Sequence, residues 1–218
     1  MNVKKELFVV RHGQTLWNIE GRMQGRLDSP LSEEGQRQAG RHAEVLHRLG
    51  GVDHMLCSPS GRTRETASLL NAKLAVPIDY EEVLMERDCG DWSGLTIEEI
   101  ERDYPDDWAE RTRDPFHHRP PGGENVPDLI ERVEPLLREL DRVNEGRIVL
   151  VTHGVMSRAI LTRYLALYPA EADNVRHPND LFYHLTWRAD RVEPAFYRDG
   201  VGPVAGLLRR SASETILR

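Results

Sequence analysis

The sequence predicts an α/β layered domain, and three observations carry that prediction. Short apolar runs, LFVV at 7–10, HMLC at 54–57 and IVLV at 148–151, have the length and continuity of strands buried on both faces. Amphipathic segments of helical period alternate with them, several opened by a capping residue. No repeat, low-complexity tract or linker interrupts the 218 residues, so one domain over 1–218 is expected.

Each element follows from local chemistry. After the first strand and a polar loop, Ser32 can cap a helix to about Leu49, which Gly50 and Gly51 end. A strand at 54–57 precedes a helix at about 61–74, and an extended stretch then passes through Ile78 and Val83 to Met85. Thr96 and Glu99 have the spacing of a capping box for a helix that Pro105 interrupts. The stretch 114–125 is rich in proline and glycine, hence a loop and a candidate lid. Leu129, Ile130, Val133, Leu136, Leu137, Leu140 and Val143 repeat with helical period across 126–143, where Pro135 should kink the helix. A strand at 147–151, a helix at 155–167 and a strand pair at 181–187 and 192–197 follow, and 211–218 should be frayed.

Composition excludes several classes of function. A formal net charge of −7 gives no electrostatic reason to bind nucleic acid or an anionic membrane, so any anion site must be local. The lysines are Lys4, Lys5 and Lys73, so nearly all positive charge is arginine, the better group for gripping oxyanions through two hydrogen bonds. Cys57 and Cys89 form neither a disulfide framework nor a zinc pattern, and the N-terminal stretch lacks the apolar core of a signal peptide. A cytoplasmic enzyme without a membrane span is expected, with a homodimer as the default assembly.

Two His-Gly pairs concentrate the chemistry: His12-Gly13 directly follows LFVV, and His153-Gly154 follows IVLV closely. Ligands of open α/β sheets bind beyond the carboxyl ends of the strands, so two strands ending alike bring two distant histidines together. Arg11, Arg62 and Glu86 also fall just beyond strand ends. Singly, each is an ordinary hydrogen-bonding or solvated residue. Together, two histidines with two arginines suggest phosphoryl transfer, which requires a nucleophile, in-line positioning and neutralisation of the equatorial oxygens.

RHGQTLWN at 11–18 is similar to the signature of the histidine phosphatase superfamily, also called phosphoglycerate mutase-like. RMQGRLDSPLSEEG at 22–35, SPSGRTRETA at 58–67, LMERDCGDWSG at 84–94, PGGEN at 121–125 and VTHG at 151–154 resemble family blocks in the family's order. The region after about residue 170 matches weakly. The resemblance implies a three-layer α/β/α sandwich with a mostly parallel central sheet. It also implies a metal-independent phosphatase, without cofactor, that hydrolyses small phosphate monoesters. His12 would be the nucleophile and Glu86 the proton donor, with Arg11, Arg62 and His153 as the cationic cage. Asn18 and the backbone amides at Gly13 and Gly154 would add donors; Gln24 and Trp92 are candidates to line the pocket mouth, Trp92 fitting the core equally well. His153 would be protonated when phosphate is bound.

Four rivals compete. A cysteine phosphatase fails on spacing, because four residues separate Cys57 from Arg62 where the phosphate loop needs five. A metal hydrolase lacks ligand spacing, although His117-His118 sits in the 114–125 loop. A cofactor-dependent phosphoglycerate mutase shares the same inner residues, but this chain looks short of the mutase's covering insertion and paired arginine, Arg111 and Arg113 being separated by Thr112. A non-catalytic phosphoester-binding module is disfavoured by the intact set His12, Arg62, Glu86 and His153.

Overall fold

The computed structural model describes residues 5–188 and 191–210. Its centre is one mixed sheet, seven-stranded among those residues, in the order β3-β2-β4-β1-β5-β6-β7. The strands β1 (Lys5–Arg11), β2 (His54–Cys57), β3 (Ile78–Tyr80) and β4 (Gly146–Thr152) pair in parallel. β5 (Leu181–Arg188), β6 (Arg191–Arg198) and β7 (Val201–Ala205) extend the sheet antiparallel from β1.

The uninterrupted apolar runs serve both faces, as the sequence requires. Leu7, Val9, Ile148 and Leu150 point to one side, where Leu129 and Val133 of α6 (Val126–Arg142) and Met156 and Ile160 of α7 (Gly154–Leu165) cover them. Phe8, Val10, Val149 and Val151 point to the other, against Ala43 and Leu46 of α2 (Glu33–Arg48) and Ala67 and Leu70 of α3 (Gly61–Leu74). A slip of one residue in β1 would exchange the two sets, so its register is tightly specified. The result is the expected α/β/α sandwich.

The helix expected from Thr96 is two helices. Its capping box forms, with the Glu99 N–H donating to the Thr96 hydroxyl at 3.2 Å, and α4 (Ile97–Asp103) ends before Pro105, which opens α5 (Pro105–Arg113) at the position where its missing N–H matters least. α6 runs on through Pro135. The short elements not foreseen include α1 (Leu16–Ile19), α8 (Pro169–Asp173), 3₁₀ turns at Gly90–Trp92 and at Glu82–Leu84, the latter within the stretch expected to be extended, and β7, an exposed edge strand carrying Gly202 and Pro203, where a missing ladder N–H is tolerated. The fraying expected at 211–218 falls outside the described residues.

Register assembles the site. Arg11 faces Thr152 and Cys57 faces Val151, so β1, β2 and β4 end level. The His12 N–H donates to Thr152 O at 3.0 Å and the Ser58 N–H to Val151 O at 2.9 Å, which places His12, Ser58 and His153 together beyond the carboxyl ends. Because β5 is antiparallel to β1, with Phe182 opposite Val10, the segment just before β5 returns to the same end.

Candidate active site

His12 is buried, 2% exposed, and its ring nitrogen Nδ1 lies 2.8 Å from Gly13 O. A carbonyl only accepts, so Nδ1 carries the proton and the lone pair is on Nε2. The ring meets His153 edge to face, with centroids 5.4 Å apart. Asn179 fixes the backbone by donating from Nδ2 to His12 O at 2.8 Å. Gly13 is required by close approach, since a Cβ there would lie 2.3 Å from Gly35 O. Its N–H donates to the Thr66 hydroxyl at 3.1 Å. This corrects the expectation that the Gly13 amide would grip the phosphate, because α3 already takes that donor.

His153 is the N-cap of α7, fully buried, with Nε2 2.8 Å from the Ser58 hydroxyl oxygen. Its Nδ1 is buried without a hydrogen-bond partner, as are the Nε atoms of Arg11 and Arg62. Buried polar atoms left unpaired in this way call for a partner. Arg62, 1% exposed, is clamped by the 25–28 turn: Nη1 donates to Leu27 O at 2.7 Å and to Asp28 Oδ1 at 3.0 Å, and Nη2 to Gly25 O at 2.8 Å. Arg11 donates from Nη1 to His177 O at 2.7 Å and lies over Gly154, where an added Cβ would come within 3.3 Å of its Cζ.

Glu86 sits at the N-terminus of α7. Its Oε1 accepts from the N–H of Arg87 at 2.8 Å and of Met156 at 3.1 Å, and Oε2 accepts from the Val155 N–H at 3.1 Å. Its backbone is held by Arg132, which donates to Met85 O at 3.1 Å and Glu86 O at 3.2 Å while pairing with Glu124. Glu124 in turn accepts from the Asp88 N–H at 2.9 Å. The PGGEN block is therefore a brace for the Glu86 turn. The 114–125 loop is tied to the 88–91 turn, with the Asp91 N–H bonded to Pro121 O at 2.9 Å.

Burial, followed by the guanidiniums of Arg11 and Arg62, holds His12 well below the usual imidazole range. His153 is also held well below it, by burial and then by Arg62 and His12. Both rings are neutral at pH 7. Burial similarly lowers His42 to about 4 and His177 to about 3. The unfolded chain therefore binds more protons, and folding stability falls as pH drops below about 6.5. Each such histidine steepens the loss by up to about 1.4 kcal/mol per pH unit. Urea unfolding at pH 7.5, 6.5 and 5.5 should give steadily falling stability, and His42→Asn should flatten the slope; equal slopes in the two proteins would mean that His42 is charged when folded.

Other expected site residues divide. Asn18 accepts the Thr15 N–H at its Oδ1, 3.1 Å away, as part of the capping box of the Leu16–Ile19 helix. Gln24 is buried beside the turn that clamps Arg62, its Oε1 without a partner. Trp92 is not at the mouth: it is fully buried with Cys89 and Ile100, stacked on His118 at 5.1 Å. The GDWSG turn points the indole inward, because that segment has little other apolar surface to bury. Cys57 donates from Sγ to Ser58 O at 3.1 Å, and burial pushes its thiol up to about 12, leaving no thiolate at neutral pH. Ser58, His177 and Asn179 were missed; only the position of Ser58 just past a strand end could have signalled it.

A neutral imidazole with a free lone pair thus lies near two arginines, with a braced carboxylate on the same end of the sheet. The family model of the histidine phosphatase superfamily (branch 1) matches residues 7–200, and the chain belongs to that superfamily. It is 31% identical over 195 residues to the 6-phosphofructo-2-kinase/fructose-2,6-bisphosphatase of Caenorhabditis elegans, covering 88% of this chain and 41% of that one. The chain thus spans about two fifths of that relative's length. It is 37% identical over 166 residues to phosphoglycerate mutase-like protein 4 of Arabidopsis thaliana, covering 72% and 70%. Mycobacterial glucosyl-3-phosphoglycerate phosphatase has the same fold, with a TM-score of 0.78 at 31% identity over 87% of this chain and 97% of that one. Among the described residues no helix is long and apolar enough to cross a membrane.

Proposed function

We propose that this chain is a cytoplasmic, metal-independent phosphatase, one domain throughout, that hydrolyses small phosphate monoesters through a phosphohistidine at His12. The observation that carries the reading is the 2.8 Å contact of His12 Nδ1 with Gly13 O, which calls for a proton on Nδ1 and so leaves Nε2 as a neutral nucleophile beside Arg11, Arg62 and His153. Nε2 attacks phosphorus, the P–O bond to the alcohol breaks, and Glu86 gives its proton to the leaving oxygen. Three backbone N–H groups occupy three of the carboxylate's four acceptor positions, so the fourth, on Oε2, is the natural seat of that proton. Water then attacks the phosphohistidine, Glu86 takes its proton, and phosphate leaves. The guanidiniums offset the charge on the equatorial oxygens throughout, and an arriving dianion raises the pKa of His153 so that it donates too.

The mutase reading is favoured by the likeness to a mutase-like relative and differs in whether water or a second hydroxyl takes the phosphoryl group. Enzyme dialysed against chelator, mixed with 3-phosphoglycerate and a trace of 2,3-bisphosphoglycerate, should release inorganic phosphate faster than it interconverts the 2- and 3-isomers. Equilibration of the isomers with almost no free phosphate would overturn the phosphatase reading, and turnover restored only by added Mg²⁺ or Zn²⁺ would overturn the metal-free one.

A further inference from the structure

Ser58 follows β2 directly and is fully buried, and the mechanism above gives it no task. Its hydroxyl oxygen lies 2.8 Å from His153 Nε2. A hydroxyl can donate or accept, so that distance alone does not say which atom holds the proton. The neighbours decide. Ser58 Oγ has one other polar contact among the described residues, the Ser60 hydroxyl at 3.5 Å, which is at the limit of a hydrogen bond. The carbonyls of Ser58 and Ser60 are engaged by the Thr63 hydroxyl, 2.8 Å from each. The best-placed acceptor for the Ser58 proton is therefore the lone pair of His153 Nε2, and a neutral ring that accepts there carries its own proton on Nδ1.

A buried serine beside a buried histidine often does no more than satisfy the ring. His177 is that case in this chain: its Nδ1 lies 2.7 Å from the Ser157 hydroxyl and its Nε2 3.1 Å from Leu181 O, so both nitrogens are paired. His153 is paired at Nε2 alone, and its Nδ1 is shut away from solvent with no partner among the described residues. This half-satisfied ring is the one that meets His12, and a phosphoryl dianion held there can only accept. Ser58 is also firmly placed. Its N–H donates to Val151 O at 2.9 Å, and Thr63, which donates to its carbonyl, is the residue after Arg62 on α3.

We propose that Ser58 is a positioning residue that sets the tautomer of His153, so that a proton on Nδ1 faces the phosphoryl group. The two rings then share one tautomer and present opposite ends. His12 offers the lone pair of Nε2 to phosphorus, and His153 offers Nδ1–H to a phosphoryl oxygen. Nδ1 donates before as well as after an arriving dianion charges the ring, because once Nε2 takes a proton the hydroxyl turns to accept it and points its own proton at Ser60 Oγ. Without the hydroxyl the ring proton is free to settle on Nε2, and the lone pair left on Nδ1 repels the phosphoryl oxygen. The inference rests on the phosphatase reading for what occupies the cage, but the tautomer can be read with no ligand at all.

Long-range ¹H–¹⁵N correlation spectra of the full chain with labelled histidine read the tautomer directly, His153→Gln identifying the signal. At pH 7.5 His153 should carry its proton on Nδ1, and Ser58→Ala should move it mainly to Nε2. Calorimetry with inorganic phosphate gives a second readout. Ser58→Ala should bind phosphate about 10- to 100-fold more weakly than the parent at pH 8. At pH 6 the deficit should shrink to within about fivefold, because a charged ring or monoanionic phosphate then supplies the missing proton. The groups facing the ring, Arg62 of α3, Arg11 and His12 at the end of β1, Arg132 of α6 and Glu86 at the start of α7, are common to both proteins. Ser58→Thr keeps the hydroxyl and should restore tautomer and affinity in part. A proton on Nε2 of His153 in the unsubstituted chain overturns the proposal. So does a tautomer unmoved by Ser58→Ala, and so does equal weakening at both pH values, which marks a structural role. Cleavage of 4-nitrophenyl phosphate tests the phosphatase reading separately: an active enzyme with the proton on Nε2 sinks the role of Ser58 alone, and an inactive chain with the proton on Nδ1 sinks the phosphatase reading alone.

Discussion

Replacing His12 by alanine should reduce turnover of any phosphate monoester by about 10⁴-fold or more and remove the phosphoenzyme with it. The size follows from the role, since without Nε2 the P–O bond must be broken by water directly, with only binding and the arginine cage assisting. Rapid acid-free quenching with ³²P-labelled substrate should leave label on the unsubstituted protein, stable to alkali and lost in acid, and none on the variant. The substitution should be structurally mild. His12 is a buried neutral ring whose polar contact in the described structure is with the adjacent Gly13 carbonyl, while the backbone around it is held by Asn179, Thr66 and Thr152. Removing it also removes one group that must stay unprotonated when folded, so the variant should lose less stability below about pH 6.5 than the parent does. Label retained on His12→Ala would transfer the nucleophile's role elsewhere, His153 first, and the proposed mechanism would fall.

How much of this was legible in the sequence depends on whether the cause was local. β1, β2 and β4 were readable because strands buried on both faces are continuous apolar runs, and their common ending predicted that His12 and His153 would meet. Thr96, Glu99 and Ser32 signalled their helices because a cap is an interaction within one turn. What escaped depends on pairing. Asn179 and His177 reach the site only because β5 runs antiparallel to β1, and a strand pattern at 181–187 does not disclose its partner or its direction. The Gly13 N–H looked like a phosphate donor until α3 presented Thr66 to it. The neighbours of Trp92 in the chain suit the mouth or the core equally, and hydrophobic burial decides for the core. Four arginines that line a cavity beside Glu86 do not read as a group, since 87, 111, 158 and 210 share no spacing.

Glu86→Gln should slow hydrolysis of an alkyl phosphate by about 10²- to 10⁴-fold and that of 4-nitrophenyl phosphate by at least about tenfold less. The difference arises because an alkoxide leaves poorly unless it is protonated as the P–O bond breaks, whereas nitrophenoxide leaves without help. Glutamine keeps the size of the side chain but cannot keep its contacts. The carboxylate accepts from three backbone N–H groups, of Arg87, Val155 and Met156, and an amide must turn a donating NH₂ against at least one of them. That mismatch costs about 1–3 kcal/mol and will lower the unfolding midpoint whatever Glu86 does in the reaction. Loss of rate alone is therefore ambiguous, and the decisive reading is its dependence on the leaving group. A series of phenyl phosphates of graded acidity should give a steeper dependence of log kcat/KM on the leaving-group pKa in the variant than in the parent. Arg132→Lys, which loosens the brace behind the Glu86 backbone without removing the carboxyl, should lower both ester classes by similar factors and leave that slope unchanged. If Glu86→Gln also lowers aryl and alkyl esters equally, Glu86 positions the substrate, and the proton must come from another group.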